Sequence, residues 1–133
     1  MRMENCKLLV KGIVRSNNKF LIVAKWYDDC IANPYQWQFI DGSVGHGESP
    51  DAAVIRLIQE QTGITSEINR IIYTWSFMVG DTHKVGIAYD CIAEQDTIIL
   101  SEDLNDAKWI TREEFEQYID NDRVLQDFLK AEY

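Results

Sequence analysis

The chain has 133 residues, of which 46% are hydrophobic and 26% are charged, as expected for one globular domain of ordinary size. Thirteen Lys and Arg residues stand against twenty-two Asp and Glu residues, which gives a net charge of −9. This charge argues against a nucleic-acid scaffold, because an acidic surface repels polyanions.

The N-terminal segment has no long apolar run, which excludes a signal peptide or membrane span from our expectations. The three cysteines are widely spaced and odd in number, so neither a disulfide framework nor a paired zinc motif is predicted. We therefore expect a single domain over residues 1–133, in the cytoplasm and without a membrane partner.

The first predicted elements form a hairpin. Apolar runs at 7–14 and 20–25 flank a polar turn at 16–18 and predict two strands. The segment 26–35 has no periodicity and contains a proline, so it is predicted to be a loop. A short strand is expected around Trp37 and Phe39.

A helix is predicted from Pro50 to about Thr62. Ser49 is a favoured N-cap, Pro50 suits the first helical position and Asp51 complements the positive end of the helix dipole. Gly63 stands where a left-handed residue commonly ends a helix. Both ends of this helix are therefore marked in the sequence.

The second half of the chain is rich in β-branched and aromatic residues, which predicts most of the sheet there. The predicted strands are 68–79, 84–93, 97–100 and 107–110, followed by a capped helix from Thr111 to about Tyr118 and another at 122–130. Tyr73, Trp75 and Phe77 alternate along one strand face, where a buried core stripe is favoured over a ring-stacking surface.

The segment DGSVGHGESPDAAVIRLIQEQTGI, residues 41–64, carries the chemistry. It resembles the signature of the Nudix hydrolase family (MutT-like), in which Gly, Glu, Arg and a cluster of glutamates recur at fixed spacing. The positions that match are Gly42, Glu48, Arg56, Ile58, Glu60, Gly63 and Ile64. Leu57 and Gln61 stand where the family pattern has glutamates, so the box is degenerate.

The resemblance implies an α/β fold of the α+β type, with a mixed β-sheet sandwiched between helices. It also implies Mg²⁺ or Mn²⁺, because a diphosphate needs a divalent ion to neutralise charge and orient the attacking water. The implied catalytic residues are Glu60, Glu48 and Arg56, with Glu48 and Arg56 as an ion pair that braces the loop. The implied metal ligands are Glu60, Gln61, Gly42 and Asp41, since a backbone carbonyl of this turn often binds the metal in the family.

Leu57, Glu60 and Gln61 share one helix face at three- and four-residue steps, and we expect this face to line the site. Lys25, Trp26 and Tyr35, in or beside the irregular loop, are the predicted substrate-binding residues. Glu94, Asp96 and Glu102 are further candidate ligands, although surface solvation is the commoner role of such residues.

Three functions remain open at this point. The first is a metal-dependent hydrolase of a nucleoside diphosphate linked to another moiety, with activity reduced by Leu57 and Gln61. The second is a non-hydrolytic nucleotide-binding or sensing module on the same fold, and the third is an isomerase. In each case the expected partner is a small nucleotide or diphosphate, and a homodimer is one expected assembly because family members are often dimers.

Overall fold

The computed structural model of the protein describes residues 5–25, 36–119 and 122–130. Within these residues, seven strands form one mixed sheet, with helix α1 (Pro50–Thr62) on one face. The strands are β1 (Asn5–Ser16), β2 (Lys19–Lys25), β3 (Trp37–Gln38), β4 (Ile40–Ser43), β5 (Ser66–Val79), β6 (Thr82–Ala93) and β7 (Leu104–Thr111). A 3₁₀ turn at Arg112–Glu114 leads into α2 (Phe115–Tyr118), and α3 spans Asp122–Lys130.

The sheet order is β3-β2-β1-β6-β5, with β4 pairing to β1 and β7 pairing to β2. Strand β1 runs parallel to β6, whereas the other pairs are antiparallel. The predicted hairpin between β1 and β2 is confirmed, but it is paired over only Arg15↔Phe20 and Ser16↔Lys19. Beyond this turn, β1 pairs with β4 and β6, which places β4 beside the centre of the sheet.

Strand alternation divides the core into two clusters, because successive side chains point to opposite faces. Val10, Val14, Leu21, Val23 and Ile40 join the buried face of α1 in the first cluster. The second cluster holds Ile13, Phe20, Ile22, Phe39, Phe115 and Phe128, so α2 and α3 cover the opposite face. The predicted mixed sheet between helices is thereby confirmed.

Helix α1 begins and ends where the sequence predicts. The Ser49 hydroxyl accepts a hydrogen bond from the Ala52 N–H at 3.2 Å, and Gly63 adopts a left-handed conformation with φ +71°. The Gly63 N–H donates to the Gln59 carbonyl at 2.8 Å. The Tyr89 hydroxyl donates to Asp51 at 2.7 Å, which fastens the first turn of α1 to β6.

The predicted strand at 97–100 is wrong. In place of a strand ladder, the Ile99 N–H donates to the Thr62 carbonyl at 2.8 Å and the Ser101 N–H donates to the Gln61 carbonyl at 3.1 Å. The backbone N–H groups of Ile99 and Ser101 therefore satisfy carbonyls left open at the end of α1. Ile99 itself is 70% exposed.

The predicted core stripe on β5 is also incorrect for two of its three members. Tyr73 packs at the edge of the second cluster, but Trp75 belongs to neither cluster and Phe77 is exposed. The Trp75 ring instead covers the backbone of Gly86 on the neighbouring strand. No helix among the described residues is long and apolar enough to cross a membrane.

Candidate active site

The turn between β4 and α1 is held by the ion pair of Glu48 and Arg56. The Arg56 guanidinium donates to both Glu48 oxygens, through Nε at 2.8 Å and Nη2 at 3.0 Å. Nη2 also donates to the Ser43 carbonyl at 3.2 Å, and Nη1 donates to Glu60 at 3.1 Å. One planar side chain therefore fixes the loop, the end of β4 and the next turn of the helix together.

The loop adds its own bond to this arrangement, because the Gly45 N–H donates to Glu48 at 2.9 Å. Hydrogen bonds from Arg56 and then from Gly45 hold the pKa of the Glu48 carboxyl below its usual range. The same pairing raises the pKa of the Arg56 guanidinium. Both groups therefore stay charged at neutral pH, and the expected brace is present in this geometry.

Acid should release this brace. The folded-state pKa of Glu48 lies below the ordinary value of 4.5, so its contribution to stability is complete above that pH and is lost as pH falls through the folded value. We expect the unaltered chain to unfold at a higher temperature than Glu48→Gln at pH 7, with the difference shrinking at about pH 3.5. Thermal unfolding of both proteins at the two pH values measures it, and a difference that is constant with pH would contradict the account.

The site face of α1 differs from expectation at Leu57. Its side chain is not a solvent-facing substitute for a glutamate but is 8% exposed and part of the first core cluster. It packs on Gly42, where an added Cβ would lie 2.8 Å from both Leu57 methyl carbons. The hydrocarbon fills the space above the glycine, so the position is now used for packing between α1 and β4.

Gly42→Ala should therefore destabilise the fold by roughly 1 to 3 kcal/mol, because the added methyl overpacks against Leu57. Leu57→Ala in the same chain removes the clash, so the double variant should lose less stability than the sum of the two single changes. Denaturant unfolding of the four proteins gives the coupling. Additive losses would show that the two side chains do not share this space.

Gln61 and Asp41 are joined directly. The Gln61 amide Nε2 donates to the Asp41 backbone carbonyl at 3.3 Å, while Oε1 is buried with no hydrogen-bond partner among the described residues. The Asp41 carboxylate accepts from the Lys25 ammonium at 2.7 Å. The carbonyl and the carboxylate of Asp41 thus each have a donor from the protein itself.

The predicted metal ligands, Glu60, Gln61, Gly42 and Asp41, do not fit a divalent ion that the protein would bind without a substrate. Glu60, 59% exposed, is the only carboxylate left at the three glutamate positions of the box. Among the described residues no group of three or more His, Cys, Asp or Glu side chains could hold a metal ion. Glu94, Asp96 and Glu102 lie exposed in the segment after β6 and do not complete such a group.

The structure describes only one of the three predicted substrate-binding residues. Trp26 and Tyr35 lie outside the described residues. Lys25 lies at the end of β2 beside the box turn, where the pairing register shifts between Ala24 and Lys25. The structure therefore places one of the three, Lys25, against a predicted site residue, Asp41.

Lys11 was not predicted from the sequence but stands next to the same turn. It pairs with Asp41 in the register of β1 and β4. Its ammonium donates to the Tyr73 hydroxyl at 3.4 Å and lies 4.7 Å from the centre of the Trp75 ring. The sequence marks Lys11 only as a single lysine among the apolar residues of a strand. Its position beside Asp41 follows from the pairing of β1 with β4.

The comparison with known families decides the assignment. The family model of the NUDIX domain matches residues 9–129. The chain belongs to the Nudix family. The relatives of this Nudix chain include the nucleoside triphosphatase NudI of Enterobacter sp. (strain 638), 26% identical over 118 residues, which cover 80% of this chain and 83% of NudI.

A second relative is the 8-oxo-dGTP diphosphatase of Escherichia coli (strain K12), 33% identical over 73 residues, which cover 54% of this Nudix chain and 55% of that protein. Solved structures show the same fold. A MutT NUDIX hydrolase from Burkholderia pseudomallei superposes with a TM-score of 0.79 at 16% identity, covering 97% of this chain and all of its own. The MutT protein of Methanosarcina mazei Go1 gives 0.77 at 21% identity, covering 98% and 94%.

Proposed function

We propose that this chain is a Nudix-type hydrolase of a nucleoside diphosphate linked to another moiety, working far more slowly than an enzyme with a complete box. The observation that carries the proposal is the intact network of Glu48, Arg56 and Glu60. It keeps the loop and helix of the box in place with an exposed carboxylate beside them. The nucleoside triphosphatase and diphosphatase named above support the substrate class.

In the proposed reaction, the oxygen of a water molecule forms a bond to one phosphorus of the diphosphate, and the bridging P–O bond breaks with its electron pair on the departing phosphate. The proton of the attacking water passes to the solvent. Glu60 is the box carboxylate placed to orient that water or to contact Mg²⁺ that arrives as the counter-ion of the nucleotide. Mg²⁺ is commonly held by one or two carboxylates together with substrate phosphates. Arg56 positions Glu60 and the loop, and Lys25 adds positive charge next to Asp41.

A panel of nucleoside triphosphates, sugar nucleotides and dinucleotides tests the proposal, with Mg²⁺ or Mn²⁺ present. Added pyrophosphatase converts pyrophosphate to phosphate, so that cleavage at either linkage is counted. We expect slow release by the unaltered chain and a loss of at least roughly tenfold in Glu60→Gln. Glu67→Gln, which changes an exposed glutamate on β5, is the matched control and should leave turnover unchanged.

A second candidate is a nucleotide-binding or sensing module without turnover. The specific observation in its favour is that Gln61 donates to the Asp41 carbonyl and Leu57 covers Gly42, so both side chains contact the protein at positions where the family pattern has glutamates. Nucleotide-induced thermal stabilisation in a chain that releases no phosphate across the panel would favour this candidate over the hydrolase.

A further inference from the structure

Three contacts from two elements converge on the turn at Asp41 and Gly42. From β2, the Lys25 ammonium reaches the Asp41 carboxylate at 2.7 Å. From α1, the Gln61 amide donates to the Asp41 carbonyl at 3.3 Å, and the Leu57 methyl groups cover Gly42. The carboxylate and the carbonyl of Asp41 are therefore each already in contact with a donor from the protein.

At this turn, protein groups supply the hydrogen-bond donor and the positive charge that a bound cation would otherwise supply. A glutamate at 61 would set its oxygens against the Asp41 carbonyl oxygen, and two acceptors in contact need a positive charge between them. Glutamine supplies a donor in place of the second acceptor. Lys25 supplies the charge, and its side chain is 20% exposed while that of Asp41 is 34% exposed, so solvent screens the pair only in part.

We propose that Lys25 takes the place of a resident divalent ion at this turn, so that the chain binds nucleotide without first binding free metal. This inference rests on the proposed nucleotide site and goes beyond it by assigning the positive charge of the site to the chain itself. An ammonium beside Asp41 also repels an incoming dication. Free Mn²⁺ should therefore have no tight site on the unaltered protein.

Lys25→Met tests the inference, because it removes the ammonium group that contacts the Asp41 carboxylate. We expect Mn²⁺ to bind at least roughly tenfold more tightly than to the unaltered chain, read by Mn²⁺ electron paramagnetic resonance and by the Mn²⁺-induced rise in Tm. The double variant Lys25→Met, Asp41→Asn should lose that gain. Lys19→Met, at the opposite end of the same strand, is the matched control and should bind Mn²⁺ like the unaltered chain.

The proposal is overturned if the unaltered chain binds free Mn²⁺ as tightly as Lys25→Met, or if the gain survives Asp41→Asn. Lys25→Gln gives the same comparison with a polar side chain if the methionine variant does not fold, as checked by circular dichroism. A second arm uses ATP in EDTA, where the unaltered chain should keep its ATP-induced rise in Tm. These readouts need no turnover, so they test the role of Lys25 even if the chain hydrolyses no nucleotide of the panel. Conversely, a negative Mn²⁺ comparison does not affect the result of the hydrolysis panel.

Discussion

Restoring both glutamates, as Leu57→Glu together with Gln61→Glu, is expected to raise Mn²⁺ affinity and metal-dependent turnover by at least roughly tenfold. The two new carboxylates join Glu60 on one face of α1, next to the Asp41 carbonyl. The physical reason is charge, because a dication is held far better by three carboxylates than by one. Mn²⁺ titration and phosphate release measure the two effects.

The same double variant should be less stable than the unaltered chain when no metal is present. Leu57 is buried in the first core cluster, and a carboxylate there loses its hydration without gaining a partner. Added Mn²⁺ should restore part of the lost Tm. The control is Gln59→Glu, which adds the same kind of charge on the exposed side of the helix. An equal gain in Mn²⁺ affinity in Gln59→Glu would mean that added negative charge attracts the ion without forming a specific site.

Replacing the guanidinium, as Arg56→Met, should lower turnover at least tenfold. The substitution removes four hydrogen bonds, two to Glu48, one to Glu60 and one to Ser43. It leaves two carboxylates facing a loop without their cation, and displacement of a catalytic group by about 1 Å can cost on the order of a hundredfold in rate. Arg56→Lys keeps the positive charge but not the planar guanidinium, so its turnover should lie between that of the unaltered chain and that of Arg56→Met.

Steady-state kinetics with one active nucleotide from the panel measures this effect. The fall should appear in kcat as well as in kcat/KM, because Arg56 positions Glu60 and the loop. Arg70→Met, on the exposed part of β5, is the matched control. An Arg56→Met chain with unchanged kcat would contradict the positioning role that the geometry gives to this residue.

The local signals in the sequence predicted the elements whose causes are themselves local. Ser49 and Gly63 mark the ends of α1 through hydrogen bonds within a few residues. Thr111 and Glu114 form the predicted capping box, with the Thr111 N–H donating to Glu114 at 2.9 Å. The segment 97–100 was misassigned because its backbone bonds go to the end of α1, about forty positions earlier in the chain, which no local pattern indicates.

Of the site residues, only those at fixed positions of the Nudix box could be placed together from the sequence. Glu48 and Arg56 lie at fixed positions of the box and form the ion pair that the resemblance implies, whereas the hydrogen bond from Arg56 to Glu60 is seen only in the structure. Lys25 lies on β2 and Asp41 on β4, so their ion pair depends on how the two strands are placed in the folded chain, which no local pattern indicates. The burial of Leu57 likewise depends on the space above a glycine in another element.

Hydrolysis by Glu60 and the box network is best tested by single-turnover kinetics, with enzyme in excess over a nucleoside triphosphate and Mg²⁺ present. This design separates slow chemistry from slow product release. We expect complete but slow conversion by the unaltered chain and at least a roughly tenfold slower reaction in Glu60→Gln. Conversion at the same rate in both proteins, or none in a folded chain that binds the nucleotide, would contradict this expectation.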